Sequence, residues 1–159
     1  MVLLTQGPIP TDTMIDVGGH RLHFRIIQGH GATIVLASGG GMNATQWDSL
    51  APNLARSTGA TVVAYDRAGF GTSDASDAAY DIHREAGDLW SALERLGLDG
   101  SLVLVGHSYG GFLIEALAAQ HPSAVRGLVF VDPNTAHFIA ATGGPGVPDR
   151  ARRNGPLPV

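Results

Sequence analysis

Cysteine is absent from the 159 residues, which removes disulfides, thiolate metal sites and a cysteine nucleophile together. Charge is also scarce: 15% of residues are ionised and the net charge is -4, so no basic surface invites nucleic acid or an anionic membrane. No stretch approaches the roughly 20 apolar residues of a membrane span. The first fourteen residues, MVLLTQGPIPTDTM, lack the basic start and apolar run of about 7–15 residues that mark a signal peptide. Histidines are never paired at a metal-ligand spacing such as H-E-x-x-H, and no G-x-x-x-x-G-K-[ST] loop for phosphate occurs. These gaps predict a soluble, cytoplasmic protein with no cofactor, no metal, no nucleic acid partner and no membrane partner. What remains is 44% hydrophobic, enough in a chain of this length for one domain with a real core.

The apolar pattern changes period along the chain. Two short extended stretches, around Met14–Val17 and His20–Ile27, flank Gly18-Gly19, and the alternation of His20, Leu22, Phe24 and Ile26 predicts a half-buried hairpin strand. The β-branched runs Thr33–Ala37, Thr61–Tyr65, Ser101–Val105 and Val125–Val131 read as buried strands. Between them lie helical segments. Thr45 to Ser57 carries Trp47, Leu50, Ala51 and Leu54 on one side, with Pro52 expected to kink or shorten it. Tyr80–Leu98 places Ile82, Ala86, Leu89, Trp90, Leu93 and Leu96 at spacings of three and four and is closed by Gly97. Tyr109–Gln120 is apolar nearly throughout. Such alternation predicts an α/β fold: a mostly parallel sheet with an antiparallel start and helices on both faces. The core is expected over residues 1–136, and the Gly-, Pro- and Arg-rich residues 137–159 are expected to form a flexible tail.

Gly106-His107-Ser108-Tyr109-Gly110 has the form G-x-S-x-G and lies between an apolar strand and an apolar helix, the context that gives this short pattern its meaning. A serine on so sharp a turn is held in a strained backbone, and its neighbours two residues away come too close for side chains, hence glycine at both. The helix start behind the serine favours developing negative charge. The competing reading is a glycine-rich turn with an incidental serine.

Three motifs in order then carry a resemblance. Ser38-Gly39-Gly40-Gly41-Met42, Tyr65-Asp66-Arg67-Ala68-Gly69-Phe70-Gly71-Thr72-Ser73 and Gly106–Gly111 resemble the oxyanion loop, the turn after the fourth strand and the nucleophile elbow of the α/β-hydrolases, in their esterase, lipase and peroxidase-like branch. The match runs from about Met14 to Pro133 and implies the first six strands of that plan. It implies Ser108 as nucleophile, the backbone N–H of Tyr109 as one oxyanion donor, and Gly40, or Gly41 with the loop shifted by one, as the other. The family often has histidine where this chain has Ser38, which leaves the backbone donor in place. Asp66 and Arg67 read as structural, shaping the pocket rim and tying the turn with an ion pair.

In such proteins an acid and then a histidine follow the serine. Asp132, at the end of Val125–Val131, holds the less common acid position, and Asp-Pro after a strand is equally ordinary turn chemistry. His107 should be aimed elsewhere by the turn, and His121 suits a helix C-terminus. His137 lies downstream in a loop at the same sheet edge, with no element to hold it. No seventh or eighth strand is legible, so Val125–Val131 is expected to be an apolar edge open to self-association. The resemblance therefore implies hydrolysis of a small-molecule ester-like substrate through a Ser108 acyl-enzyme. Two readings stay beside it: a non-catalytic binding module, and a cofactor-free peroxidase-type reaction. Epoxide hydrolases and dehalogenases are disfavoured, because those relatives attack with Asp where this chain has Ser108.

Overall fold

The computed structural model describes residues 8–133. Six strands and three helices follow in the order β1 (Thr11–Asp16), β2 (Arg21–Ile27), β3 (Thr33–Ala37), a 3-10 turn (Ala44–Trp47), α1 (Ala51–Thr58), β4 (Thr61–Tyr65), α2 (Ile82–Leu96), β5 (Leu102–His107), α3 (Tyr109–Gln120) and β6 (Val125–Val131). One sheet holds all six strands in the order β1-β2-β4-β3-β5-β6. β1, β2 and β4 pair antiparallel, and β4, β3, β5 and β6 pair parallel. The expected α/β class, the antiparallel start and the six strands are all present.

Strand periodicity of two explains how the sheet is covered. Val35, Ala37, Val63, Tyr65, Leu102 and Leu104 point to one face, where they meet Leu89 and Leu93 of α2 and Leu113, Ile114 and Leu117 of α3. Ile34, Leu36, Val62 and Ala64 point to the other, against Trp47 and Ala55 of the 3-10 turn and α1. β3 and β4 are buried at every position, which is why they read as unbroken apolar runs.

Element boundaries moved where tertiary partners outweighed local pattern. β1 begins at Thr11, three residues ahead of the apolar signal, because Thr11 and Asp12 pair with Ile26 and Arg25. β5 runs on through Gly106 and His107, which the ladders to β3 and β6 hold in place. The single helical segment expected over Thr45 to Ser57 is instead two pieces. Asn43 caps the 3-10 turn through Thr45 N–H at 3.0 Å, and Pro52 sits in the first turn of α1, where its missing N–H costs nothing. Leu50, expected on the apolar side, falls at the break and is exposed. α2 starts at Ile82, not Tyr80, because the Asp81 carboxylate caps the N–H groups of His83 and Arg84.

β6 is the edge of the sheet among the described residues, and its Leu128, Val129, Phe130 and Val131 are 37–47% exposed. Also among the described residues, no helix is long and apolar enough to cross a membrane. The expected tail and His137 lie outside the described residues.

Candidate active site

β5 ends in a turn that the chain could not make without two glycines. Ser108 has φ 49° and ψ -113°, a conformation that L-residues other than glycine rarely adopt, and α3 begins at the next residue. A Cβ on Gly106 would stand 2.5 Å from the Gly110 carbonyl oxygen, and one on Gly110 would stand 2.3 Å from that of Ala37. The strain is confined by neighbours: Ser108 N–H donates to the Val131 carbonyl at 3.1 Å, and its own carbonyl accepts from Gly111 at 2.9 Å. Tyr109 is the first residue of α3, where backbone N–H groups have no partner one turn back.

The glycine loop after β3 packs against this elbow. Met42 N–H donates to the Gly39 carbonyl at 3.1 Å, closing a four-residue turn in which Gly41 takes φ 73°, the glycine position of a type II turn. A Cβ on Gly39 would lie 2.6 Å from His107 Nδ1 and 3.5 Å from Ser108 Cβ, and one on Gly40 would lie 3.7 Å from Tyr109 Cβ. Gly40 and Gly41 are exposed, whereas Gly39 is buried with N–H donating to Gln46 Oε1 at 3.0 Å. Ser38 anchors the loop: its hydroxyl donates to the Asn43 carbonyl at 2.9 Å and accepts from Trp47 Nε1 at 3.0 Å. The structure thus brings Gly39 and Gly40 against Ser108 and Tyr109, while an added Cβ on Gly41, next in the same turn, would have nothing within 4 Å. His107 faces Gly39, and its Nδ1 is buried without a hydrogen-bond partner among the described residues.

The turn after β4 is tied differently from the expected ion pair within it. Asp66 accepts from Ala44 N–H at 2.7 Å, Thr72 N–H at 2.8 Å and the His23 ring at 2.9 Å, joining the turn to β2 and to the segment after the glycine loop. Arg67 pairs with Glu85 of α2 at 3.5 Å and donates from Nη2 to the Gly39 carbonyl at 2.9 Å. Its guanidinium lies between the rings of Phe70 and Tyr109, 4.3 and 4.4 Å from their centroids. Tyr109 donates its phenol proton to Glu85 Oε2 at 2.5 Å and also meets the Tyr80 hydroxyl. Burial, then the hydrogen bonds with Glu85 and Tyr80, push the Tyr109 phenol far above its ordinary value. Glu85 gave no signal in the sequence, because it falls within an ordinary polar helix face. The approach of Tyr109 from α3 gives it a role.

Asp132 has φ 43°; it and Ser108 are the two non-glycine residues with positive φ among those described. The register pairs His107 with Val131, and Ser108 N–H donates to the Val131 carbonyl, so Ser108 and Asp132 each directly follow the last paired residues of adjacent strands. Asp132 is exposed there. Beside the site, a cavity of about 250 Å³ is lined by Arg67, Phe70, Tyr80, Arg84 and Glu85, among others. Among the described residues no three His, Asp or Glu side chains gather as a metal site.

Comparison with known proteins agrees with this architecture. Residues 32–153 match the family model described as alpha/beta hydrolase fold. Epoxide hydrolase A of Mycobacterium tuberculosis is 37% identical over 119 residues, covering 73% of this chain and 36% of that protein. Among solved structures, Cfl2 of Burkholderia cenocepacia superposes with a TM-score of 0.75 at 28% identity, over 95% of this chain and 46% of that one. Est816, described as an N-acyl homoserine lactone degrading enzyme, superposes at 0.73 with 25% identity, over 90% and 52%. The chain spans about a third of the length of epoxide hydrolase A and about half of these solved chains.

Proposed function

The chain belongs to the α/β-hydrolase fold family, and from that premise we propose that it carries the nucleophile of a serine hydrolase acting on an ester-like acyl bond. The observation that carries the reading is the strained Ser108 at the start of α3 with the Gly39–Met42 turn packed against it. Ser108 Oγ attacks the substrate carbonyl carbon while an imidazole takes its proton. The carbonyl oxygen becomes an oxyanion facing the N–H groups of Tyr109 and of Gly40 or Gly41. Collapse breaks the bond to the leaving group, which receives the proton, and leaves an ester on Ser108. Water then attacks that ester by the same steps and releases the acid.

Asp132 is proposed as the acid that orients the imidazole, on its place beside Ser108 and its own positive φ. The imidazole itself is assigned to His137 or to a second polypeptide segment. The kind of bond follows from the nucleophile. Attack by serine on an epoxide carbon would leave an ether that water does not cleave, whereas attack on a carbonyl leaves a hydrolysable ester. The similarity to epoxide hydrolase A therefore supports the scaffold, and that to Est816 supports a carbonyl substrate.

Treatment of the protein with a fluorophosphonate, followed by mass spectrometry, tests the reading with Ser108→Ala as control. Stoichiometric labelling at Ser108 is expected. A folded sample that stays unlabelled would leave a non-catalytic binding scaffold. Asp132→Asn is expected to slow labelling by about tenfold or more; an unchanged rate removes Asp132 from the triad.

A further inference from the structure

Both candidate oxyanion segments are gripped from behind by one ion pair, a buried Arg67 and a half-buried Glu85. Arg67 is 4% exposed and touches each of the two segments that form the hole. On one side its Nη2 holds the Gly39 carbonyl, which also accepts from Met42. In a trans peptide the following N–H points opposite to the carbonyl, so fixing that oxygen aims Gly40 N–H away from Arg67. A charged donor on the carbonyl also polarises the peptide, which strengthens its N–H as a donor. On the other side the same guanidinium lies over the Tyr109 ring, 4.4 Å from its centroid. Glu85 completes the frame, with one carboxylate oxygen on Arg67 and the other on the Tyr109 phenol.

A buried guanidinium is costly unless paired, and Glu85 of α2 supplies that charge. The planar fork matters as much as the charge. A single ammonium would have difficulty reaching the Gly39 carbonyl and Glu85 while stacking between Phe70 and Tyr109. Glu85 thus ties α2 to both Arg67 and Tyr109.

We propose that Arg67 and Glu85 are positioning residues that set Gly40 N–H and Tyr109 N–H in a single rigid frame facing the Ser108 acyl centre, so that loss of either loosens both donors together. The inference rests on the serine hydrolase reading, and its test has one arm that does not. Arg67→Met, Arg67→Lys and Glu85→Gln are compared with the unaltered full chain. In the first arm, fluorophosphonate inactivation is resolved into binding and the chemical step. Arg67→Met and Glu85→Gln are expected to slow the chemical step by about 10- to 100-fold while binding of the reagent changes little, and Arg67→Lys to recover part of the loss.

In the second arm, amide resonances are followed by NMR. Gly40 and Tyr109 are expected to move together in Arg67→Met and in Glu85→Gln, while Gly59, on the far side of β4, stays in place. If the unaltered chain is not labelled, the serine hydrolase reading falls, and the amide resonances alone decide this inference. A folded Arg67→Met or Glu85→Gln protein with both amides unmoved, or with an undiminished chemical step, overturns it. Glu85→Gln, which preserves shape, keeps the test decisive should Arg67→Met not fold.

Discussion

At the elbow, two hydrogen atoms decide whether the turn exists. Gly106 and Gly110 each face backbone at under 3.0 Å from where a Cβ would stand, and backbone cannot swing aside as a flexible side chain can. Gly110→Ala is therefore expected to destabilise the protein by roughly 2–4 kcal/mol in urea titrations, as overpacking against a fixed neighbour does. Gly87, inside α2, has nothing within 4 Å of its added Cβ. Gly87→Ala should stabilise by about 0.5–1 kcal/mol, since it trades backbone entropy for a methyl group in open space. The two glycines look alike in the sequence except for the G-x-S-x-G frame. That frame made Gly106, Ser108 and Gly110 legible, whereas Ser38, Arg67 and Glu85 took their roles from partners 9, 28 and 24 residues away.

At the level of the element, α2 and β6 show opposite degrees of satisfaction. α2 buries Ala86, Leu89, Ala92 and Leu93, is capped by Asp81 and closed by Gly97, and further locks to α3 by stacking Trp90 on His121 at 3.6 Å. Leu89→Ala, at a site with no exposed surface, should cost about 2–5 kcal/mol by chemical denaturation. β6, expected from the sequence to be an apolar edge, is the edge of the described sheet and leaves four consecutive apolar residues partly in solvent. Such an edge offers unpaired backbone groups beside a sticky surface. We expect the 159-residue chain to self-associate through it, and Val129→Lys to raise the monomer fraction in sedimentation velocity. Identical sedimentation of the two proteins would locate the contact elsewhere.

Across the whole molecule, the response to alkali reports how tightly α2 and α3 close over their face of the sheet. Burial raises the phenols of Tyr65 and Tyr109, two of the three tyrosines, well above their ordinary value near 10. Both ionise freely only in the unfolded chain. The stability they contribute is complete below about pH 10 and falls as the pH rises beyond it, because the unfolded state then releases protons that the folded state keeps. Absorbance at 295 nm should show the Tyr65 and Tyr109 phenols still protonated well above pH 10 in native protein and titrating near the ordinary value in guanidinium. Full ionisation in the native protein would mean that the site beneath Tyr109 is open. The sequence by itself determined the alternation of strands and helices, the inward faces of α2 and β3, and the serine on its turn, because these follow from local periodicity and from φ/ψ limits carried by neighbouring residues. Only the tertiary structure decided which charges meet: it gave Asp66 to His23 and Ala44, and gave Arg67 to Glu85 and Gly39. Those pairings depend on strand order and register, which bring together residues far apart in the chain and leave no trace in its local pattern.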